Sequence, residues 1–288
     1  MGKLEGKVAL IAGGFGRIKI DSSAYIPGLS TSIAQKFAAE GAKVVIVDLD
    51  EVITKACVRH LGIPQIKSKA CDLMKDRKSN TKTMETDQGP KTDVIWTDNP
   101  ALTLVNDIVE EYGKIDALVL NFDYYEKGKI DSITEEIYNT LREQNITPVF
   151  HLLAAVREQF SAQKKTTGEF AKVVILTSMV GKSGLEMASV YSAFKGSMIG
   201  LTKSICREFG RFANINAVAI GPLSEKNIQG PADRIKGKFL VTSSDMSNIS
   251  IMAEHIVPLV AFLSSNDAAA ISGQTISIDG GLWLKLEQ

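Results

Sequence analysis

The chain has 288 residues, 44% of them hydrophobic, enough to build one large α/β domain or two small ones. Its 33 basic residues balance 33 acidic ones, which leaves no electrostatic footprint for nucleic acid or an anionic membrane. Cys57, Cys71 and Cys206 are widely spaced and form no metal-ligand pattern, so they read as reduced thiols of a cytoplasmic protein, and no metal is expected. The opening run Met1-Gly2-Lys3-Leu4-Glu5-Gly6-Lys7 is too charged for a signal peptide, and no apolar stretch approaches the ~20 residues of a membrane span.

Apolar runs then recur, most of them followed by a helical pattern. Val8–Ala12 reads as a buried strand. Residues 32–40 have helical period and stop at Gly41. Lys43–Val47 is a second strand closed by Asp48, and residues 66–71 a third. Residues 102–112 are helical up to Gly113, and Ala117–Leu120 is a fourth strand. Residues 134–160 are helical with a break near Pro148. Residues 172–177 are a fifth strand, 190–210 a long helix and 215–219 a sixth strand. Ala253–Leu263 is a helix, and Thr275–Ile278 a last strand before Gly280 and Gly281. Near-continuous apolar strands alternating with helices predict a parallel sheet covered on both faces. No linker divides the chain, so a single domain over residues 1–288 is expected.

Two stretches interrupt this rhythm. Residues 15–27 separate the first strand from its helix, and residues 74–100 are polar and turn-rich, with room for a hairpin that uses 93–97 as a strand. Long loops inside a compact domain tend to be functional or disordered.

The first strand leads into Gly13 and Gly14, and Gly28 precedes the helix. A strand, a glycine turn and a helix N-terminus form a nucleotide cradle, because glycine lets backbone approach phosphate and the helix end supplies donors. Asp48 lies 35 residues after Gly13 at the end of the second strand, instead of the usual ~20, and the insertion accounts for the excess. A carboxylate there accepts hydrogen bonds from both ribose hydroxyls and repels a 2′-phosphate, which favours NAD(H) over NADP(H). Arg17 and Lys19 pull the other way. Further on, Tyr191 and Lys195 stand four apart on one helical face. A fixed positive charge beside a phenol favours the phenolate, so a lowered Tyr191 pKa is expected, suited to proton transfer.

With Ser178 thirteen residues before Tyr191, and Asn145-Ile-Thr-Pro-Val-Phe150 upstream, the chain resembles the short-chain dehydrogenase/reductase family in its ordinary Tyr-x-x-x-Lys branch. Asn216-Ala-Val-Ala-Ile-Gly221-Pro222-Leu223 is similar to the family's turn beside the nicotinamide, and Ser272–Gly281 to its C-terminal strand. The resemblance spans nearly the whole chain. It implies a Rossmann-type, doubly wound α/β sheet of about seven parallel strands. It also implies reversible hydride transfer between NAD(H) and a secondary alcohol or its ketone or aldehyde. Tyr191 would be the acid/base and Lys195 its activator and ribose ligand. Ser178 would hold the substrate oxygen, and Asn145 a relay water. Cofactor contacts are implied at Gly13, Gly14, Gly28, Leu29, Ser30, Asp48, Leu49, Asp72, Leu73, Asn121, Phe122, Tyr191, Lys195, Gly221, Pro222 and Leu223. Residues 224–248 would form a substrate lid, with Met179, Val180, Ser183, Glu186 and Met187 also facing the pocket. The partner would be a small carbonyl or alcohol, with the chains in a homotetramer or homodimer.

The cofactor loop departs from the family pattern. Ser30 stands in place of the last glycine, its hydroxyl a potential donor to phosphate. Phe122 and Asp123 replace small residues after Asn121, and Ile220 replaces a proline. Two other functions therefore stay open. One is an enoyl-thioester reductase of the divergent branch, which the Tyr191/Lys195 spacing opposes. The other is a low-turnover dinucleotide sensor or scaffold.

Overall fold

The computed structural model describes residues 2–18, 25–75, 78–86, 89–222 and 251–281. Leu223 and the expected lid at 224–248 lie outside the described residues, as does Lys19. Seven parallel strands form the central sheet: β1 (Val8–Ala12), β4 (Lys43–Val47), β5 (Ile66–Ser68), β8 (Ala117–Leu120), β9 (Ala171–Ser178), β10 (Ala213–Ile220) and β11 (Thr275–Ile278). Their spatial order is β11-β10-β9-β8-β1-β4-β5.

The inner strands of this sheet are buried on both faces, which explains why they read as near-unbroken apolar runs, whereas the edge strands β5 and β11 are only partly buried. Val8, Leu10 and Ala12 of β1 and Val45 and Val47 of β4 face one core. Leu104 and Ile108 of α3 (Pro100–Tyr112), Leu152, Val156 and Phe160 of α5 (Thr147–Thr167), and Met198 and Phe209 of α7 (Ser189–Phe209) complete it. Ala9, Ile11, Val44 and Ile46 face the second core with Ile33 and Phe37 of α1 (Leu29–Ala39), Cys57 of α2 (Glu51–Leu61), and Ile256 and Val260 of α8 (Ala253–Leu263). Each such aliphatic side chain contributes about 1.5–3 kcal/mol by leaving water.

The chain winds outward from β1 to β4 and β5, then returns and winds the other way through β8, β9, β10 and β11. The order reverses between β1 and β8, so a crevice opens outside the carboxyl ends of these two strands, the usual ligand position of such a sheet.

Local chemistry explains where the elements differ from expectation. The first helix starts at Leu29, three residues early, with extended Gly28 as its N-cap. The third strand stops at Ser68, not at residue 71. α2 has no counterpart in the sequence reading, although its stops are present. The Asp50 side chain accepts from Val52 N at 2.8 Å, and Gly62 closes the helix in the left-handed region. The run at 134–160 is two helices. Thr134 caps α4 (Glu135–Asn145), Ile146 is the joint, and Pro148 sits in the first turn of α5, where its missing N–H costs no hydrogen bond. α5 continues to Thr167 and ends at Gly168.

Both interruptions are antiparallel hairpins. β2 (Gly16–Ile18) pairs with β3 (Tyr25–Pro27), and β6 (Lys78–Thr86) pairs with β7 (Gly89–Asp98), a longer ladder than the strand expected at 93–97. Among the described residues, each hairpin forms a two-stranded sheet of its own.

Candidate active site

The β1 turn is built around close backbone approach. Gly14 has a φ of 73°, and a Cβ placed there would collide with the Asn121 side chain. Gly28 lies so near Gly14 and Gly16 that it has no room for a side chain. The hairpin is pinched off at its base, where Gly28 N donates to Phe15 O at 2.9 Å and Ser30 N to Gly14 O at 3.1 Å. Tyr25 reinforces the pinch by donating its hydroxyl to Phe15 O and sharing a 2.7 Å hydrogen bond with Thr31 Oγ1.

Leu29 and Ser30 are buried. The Ser30 hydroxyl, read from the sequence as a phosphate donor, turns toward β8 and accepts from Asn121 Nδ2 at 3.0 Å. Asn121 is itself tied to β1 through its N–H to Ala12 O at 2.8 Å. Asp48 stands where expected, at the end of β4. Its Oδ1 accepts from Leu49 N at 2.7 Å and its Oδ2 from Phe15 N at 3.3 Å. Burial pushes its carboxyl up, and the two backbone donors work against that. Leu49 packs on the first core. Asp72 caps a turn, accepting from Met74 N and Lys75 N at 3.1 Å each, and Leu73 is wholly buried. Gly221 is held by its N–H to Ile278 O at 2.9 Å, with half-buried Pro222 after it.

Tyr191 and Lys195 come together on α7, both buried. Thr177 Oγ1 donates to Lys195 O at 2.8 Å and fixes this turn of the helix against β9. Ser178 follows at the end of β9. Its Oγ accepts from Val180 N at 3.4 Å, opening α6 (Val180–Ser183), and it also interacts with the Tyr191 phenol. Just before α7, Met187 takes a φ of 60°, a strained left-handed conformation for a long side chain, while its carbonyl accepts from Gly128 N at 2.8 Å.

The electrostatics correct one expectation. Tyr191 does not have a lowered pKa. Burial first, and next the Asp123 carboxylate, push its phenol well above the ordinary value, and only Ser178 works the other way. The Tyr191 hydroxyl donates to Asp123 Oδ1 at 2.7 Å. Lys195 Nζ donates to the same oxygen at 2.8 Å and to Phe122 O at 2.7 Å. The sequence marks Asp123 only as larger than the residue it replaces; that departure was the signal for its place in the site.

Asn145 is buried, and its side-chain amide is engaged with main chain. Its Oδ1 accepts from Tyr124 N at 3.1 Å, and its Nδ2 donates to Tyr124 O and Leu141 O, each at 2.8 Å. Phe122 is buried with its ring against Gly13.

The crevice fits a dinucleotide in the close glycine backbone at the switch point and the acid at the end of β4. No three His, Cys, Asp or Glu side chains come together as a metal site among the described residues, and none of their helices is long and apolar enough to cross a membrane.

Comparison with known proteins finds similar oxidoreductases along nearly the whole chain. The family model described as Enoyl-(Acyl carrier protein) reductase matches residues 91–283. Galactitol 2-dehydrogenase of Agrobacterium fabrum is 27% identical over 292 residues, spanning 98% of this chain and 99% of its own. The 3-oxoacyl-[acyl-carrier-protein] reductase FabG of Escherichia coli is 27% identical over 284 residues, spanning 97% and 98%. The crystal structure of a short-chain dehydrogenase/reductase of the glucose/ribitol dehydrogenase type from Brucella melitensis superposes with a TM-score of 0.72 at 21% identity, over 97% of this chain and 98% of that one. A short-chain dehydrogenase from Mycobacterium smegmatis has a TM-score of 0.69 at 20% identity, over 97% and 94%.

Proposed function

Because the chain belongs to the short-chain dehydrogenase/reductase family of oxidoreductases, we propose that it interconverts a secondary alcohol and its ketone or aldehyde, with NAD(H) as the redox partner. The observation that carries this reading is the convergence of Tyr191, Lys195 and Ser178 at the carboxyl end of β9, across the sheet from a glycine turn with no room for a Cβ.

A bound nicotinamide dinucleotide would supply the hydride acceptor or donor. Gly13, Gly14 and the start of α1 would hold its phosphates, Asp48 a ribose, and Gly221 and Pro222 the nicotinamide end. Tyr191 exchanges a proton with the substrate oxygen, and Ser178 hydrogen-bonds that oxygen and stabilises charge developing on it. Asn145 acts through its grip on Tyr124, which sets the loop carrying Phe122 and Asp123.

Two classes of substrate follow from the relatives' names, polyols and 3-oxoacyl thioesters. Both classes carry a ketone or secondary alcohol on which the proposed reaction can act. The test is an assay panel of galactitol, sorbitol, a 3-oxoacyl thioester and an enoyl thioester, each with NAD(H) and NADP(H). Turnover of an alcohol or ketone is expected, with NADH binding tighter than NADPH by fluorescence titration. Tighter NADPH binding defeats the cofactor assignment. Turnover of the enoyl thioester alone would favour a second reading, the enoyl reductase that the matching family description suggests.

A further inference from the structure

The geometry points to Asp123 as the proton acceptor of the site, with Tyr191 relaying the substrate proton to it and never standing as a free phenolate; this rests on the hydride-transfer reading above.

A single oxygen, Asp123 Oδ1, accepts from both the Tyr191 hydroxyl at 2.7 Å and Lys195 Nζ at 2.8 Å. The phenolic proton is therefore committed to the carboxylate, and the remaining lone pairs of the Tyr191 oxygen are left to accept from a substrate hydroxyl. The groups facing Tyr191 are Asp123 from the loop after β8, Tyr125 from the same loop with its ring edge-on at 5.0 Å, Ser178 from β9, and Lys195 on its own helix. The Lys195 ammonium is 5.4 Å from the centre of the phenol ring but in contact with Asp123, so its charge holds the carboxylate in place. Burial and the adjoining carboxylate both oppose ionisation of Tyr191, which disfavours a mechanism that begins from phenolate.

Position 123 is also clamped on both sides. Lys195 holds the carbonyl of Phe122, and Asn145 holds both main-chain polar groups of Tyr124. The neighbouring Glu126 is engaged by the Tyr124 hydroxyl at 3.2 Å. The Asp123 side chain is 40% exposed, so it links the buried phenol to water.

The step balances. As the carbinol C–H hydrogen leaves with its electron pair to an oxidised nicotinamide, the carbinol O–H breaks and its proton joins the Tyr191 oxygen. The original Tyr191 O–H breaks and its proton joins Asp123. A neutral alcohol becomes a neutral carbonyl, and a carboxylate becomes a carboxylic acid that then loses its proton to solvent.

The test compares wild type, Asp123→Asn and Tyr191→Phe, with Asp123→Ser as a second variant at the exposed position. The kcat of oxidation is followed against pH with the fastest alcohol of the panel above. Ultraviolet absorbance of the cofactor-free proteins reports phenol ionisation, with Tyr191→Phe as the blank. Removing the carboxylate is expected to lower kcat at pH 7 by 10²–10⁴-fold, the span of a lost general base, and to make it climb toward alkaline pH. The Tyr191 phenol should ionise at lower pH in both Asp123 variants than in wild type. Wild-type or faster turnover at pH 7 in those variants overturns the inference and makes Asp123 a brake on Tyr191. An unmoved phenol titration also overturns it. Full turnover in Tyr191→Phe would remove the hydride-transfer reading itself, a separate result.

Discussion

At Asp48 binding and stability pull in opposite directions. The proposed role of the carboxylate is to accept ribose hydroxyls, yet burial pushes its carboxyl up. A folded-state pKa above the unfolded value of about 3.9 means that folding favours the protonated form. The stabilising contribution is present below the unfolded value and is lost as pH rises through the folded one. Asp48→Asn should therefore melt higher than wild type at pH 7.5, and the gap should narrow toward pH 4. NADH titration of the same variant should show affinity about tenfold weaker, since hydrogen bonds to a charged group contribute about 1.5–3 kcal/mol. A variant that melts lower at pH 7.5 would contradict the argument. Legibility at this scale depended on covalent spacing. Tyr191, Lys195 and Ser178 share a short stretch of chain and could be read from intervals alone. The Asp123 contact spans 68 residues, and the Asn121–Ser30 contact 91, distances that only the folded sheet closes. The lysine's effect on Tyr191 is outweighed for the same reason, since the competing carboxylate of Asp123 comes from a distant part of the chain.

At the scale of elements, the β6–β7 hairpin is the clearest addition to the fold. Its strands pair with each other, and its ends meet where Lys78 faces Asp98 and Lys75 forms a 2.9 Å ion pair with Asp98. Exchanging residues 76–98 for a short Gly-Ser turn should leave a cooperative thermal transition within about 5 °C of wild type, since among the described residues β6 and β7 form a two-stranded sheet separate from the central one. Loss of the transition would show that the hairpin is integral to the domain. The sequence announced this segment by its polarity and turn residues, but strand pairing is non-local and gave little periodic signal. α2 was missed for another reason. Its eleven residues bury only Thr54, Ala56 and Cys57, so the apolar stripe is too thin to stand out, and only its end residues betray it. The split at Ile146 was half legible, through Pro148.

For the whole molecule, assembly is the open dimension. We propose the homotetramer or homodimer implied by the family, with α5 and α7 at the contact. Phe150 on α5 is 51% exposed, and α7 shows Ala193, Ser197 and Gly200 outward, small side chains over which a second helix can approach closely. Phe150→Glu should move the sedimenting species to smaller mass while leaving circular dichroism unchanged. An unchanged mass would place the contact elsewhere. The inner strands of the sheet are legible because both their faces are buried, and burial writes itself into sequence as runs of Val, Ile, Leu and Ala, while the partly buried edge strand β5 is shorter than its sequence suggests.

The pinch at the base of the first hairpin has a practical consequence. Two main-chain hydrogen bonds, from Gly28 to Phe15 and from Ser30 to Gly14, bring the ends of the excursion together before it departs. Chain added beyond that closure pays only the slow logarithmic cost of a longer loop, about 0.6 kcal/mol for each doubling. The stretch of chain between Ile18 and Tyr25 is thus a graft point. A reporter peptide or a pair of new termini could be spliced into the excursion without redesigning the sheet.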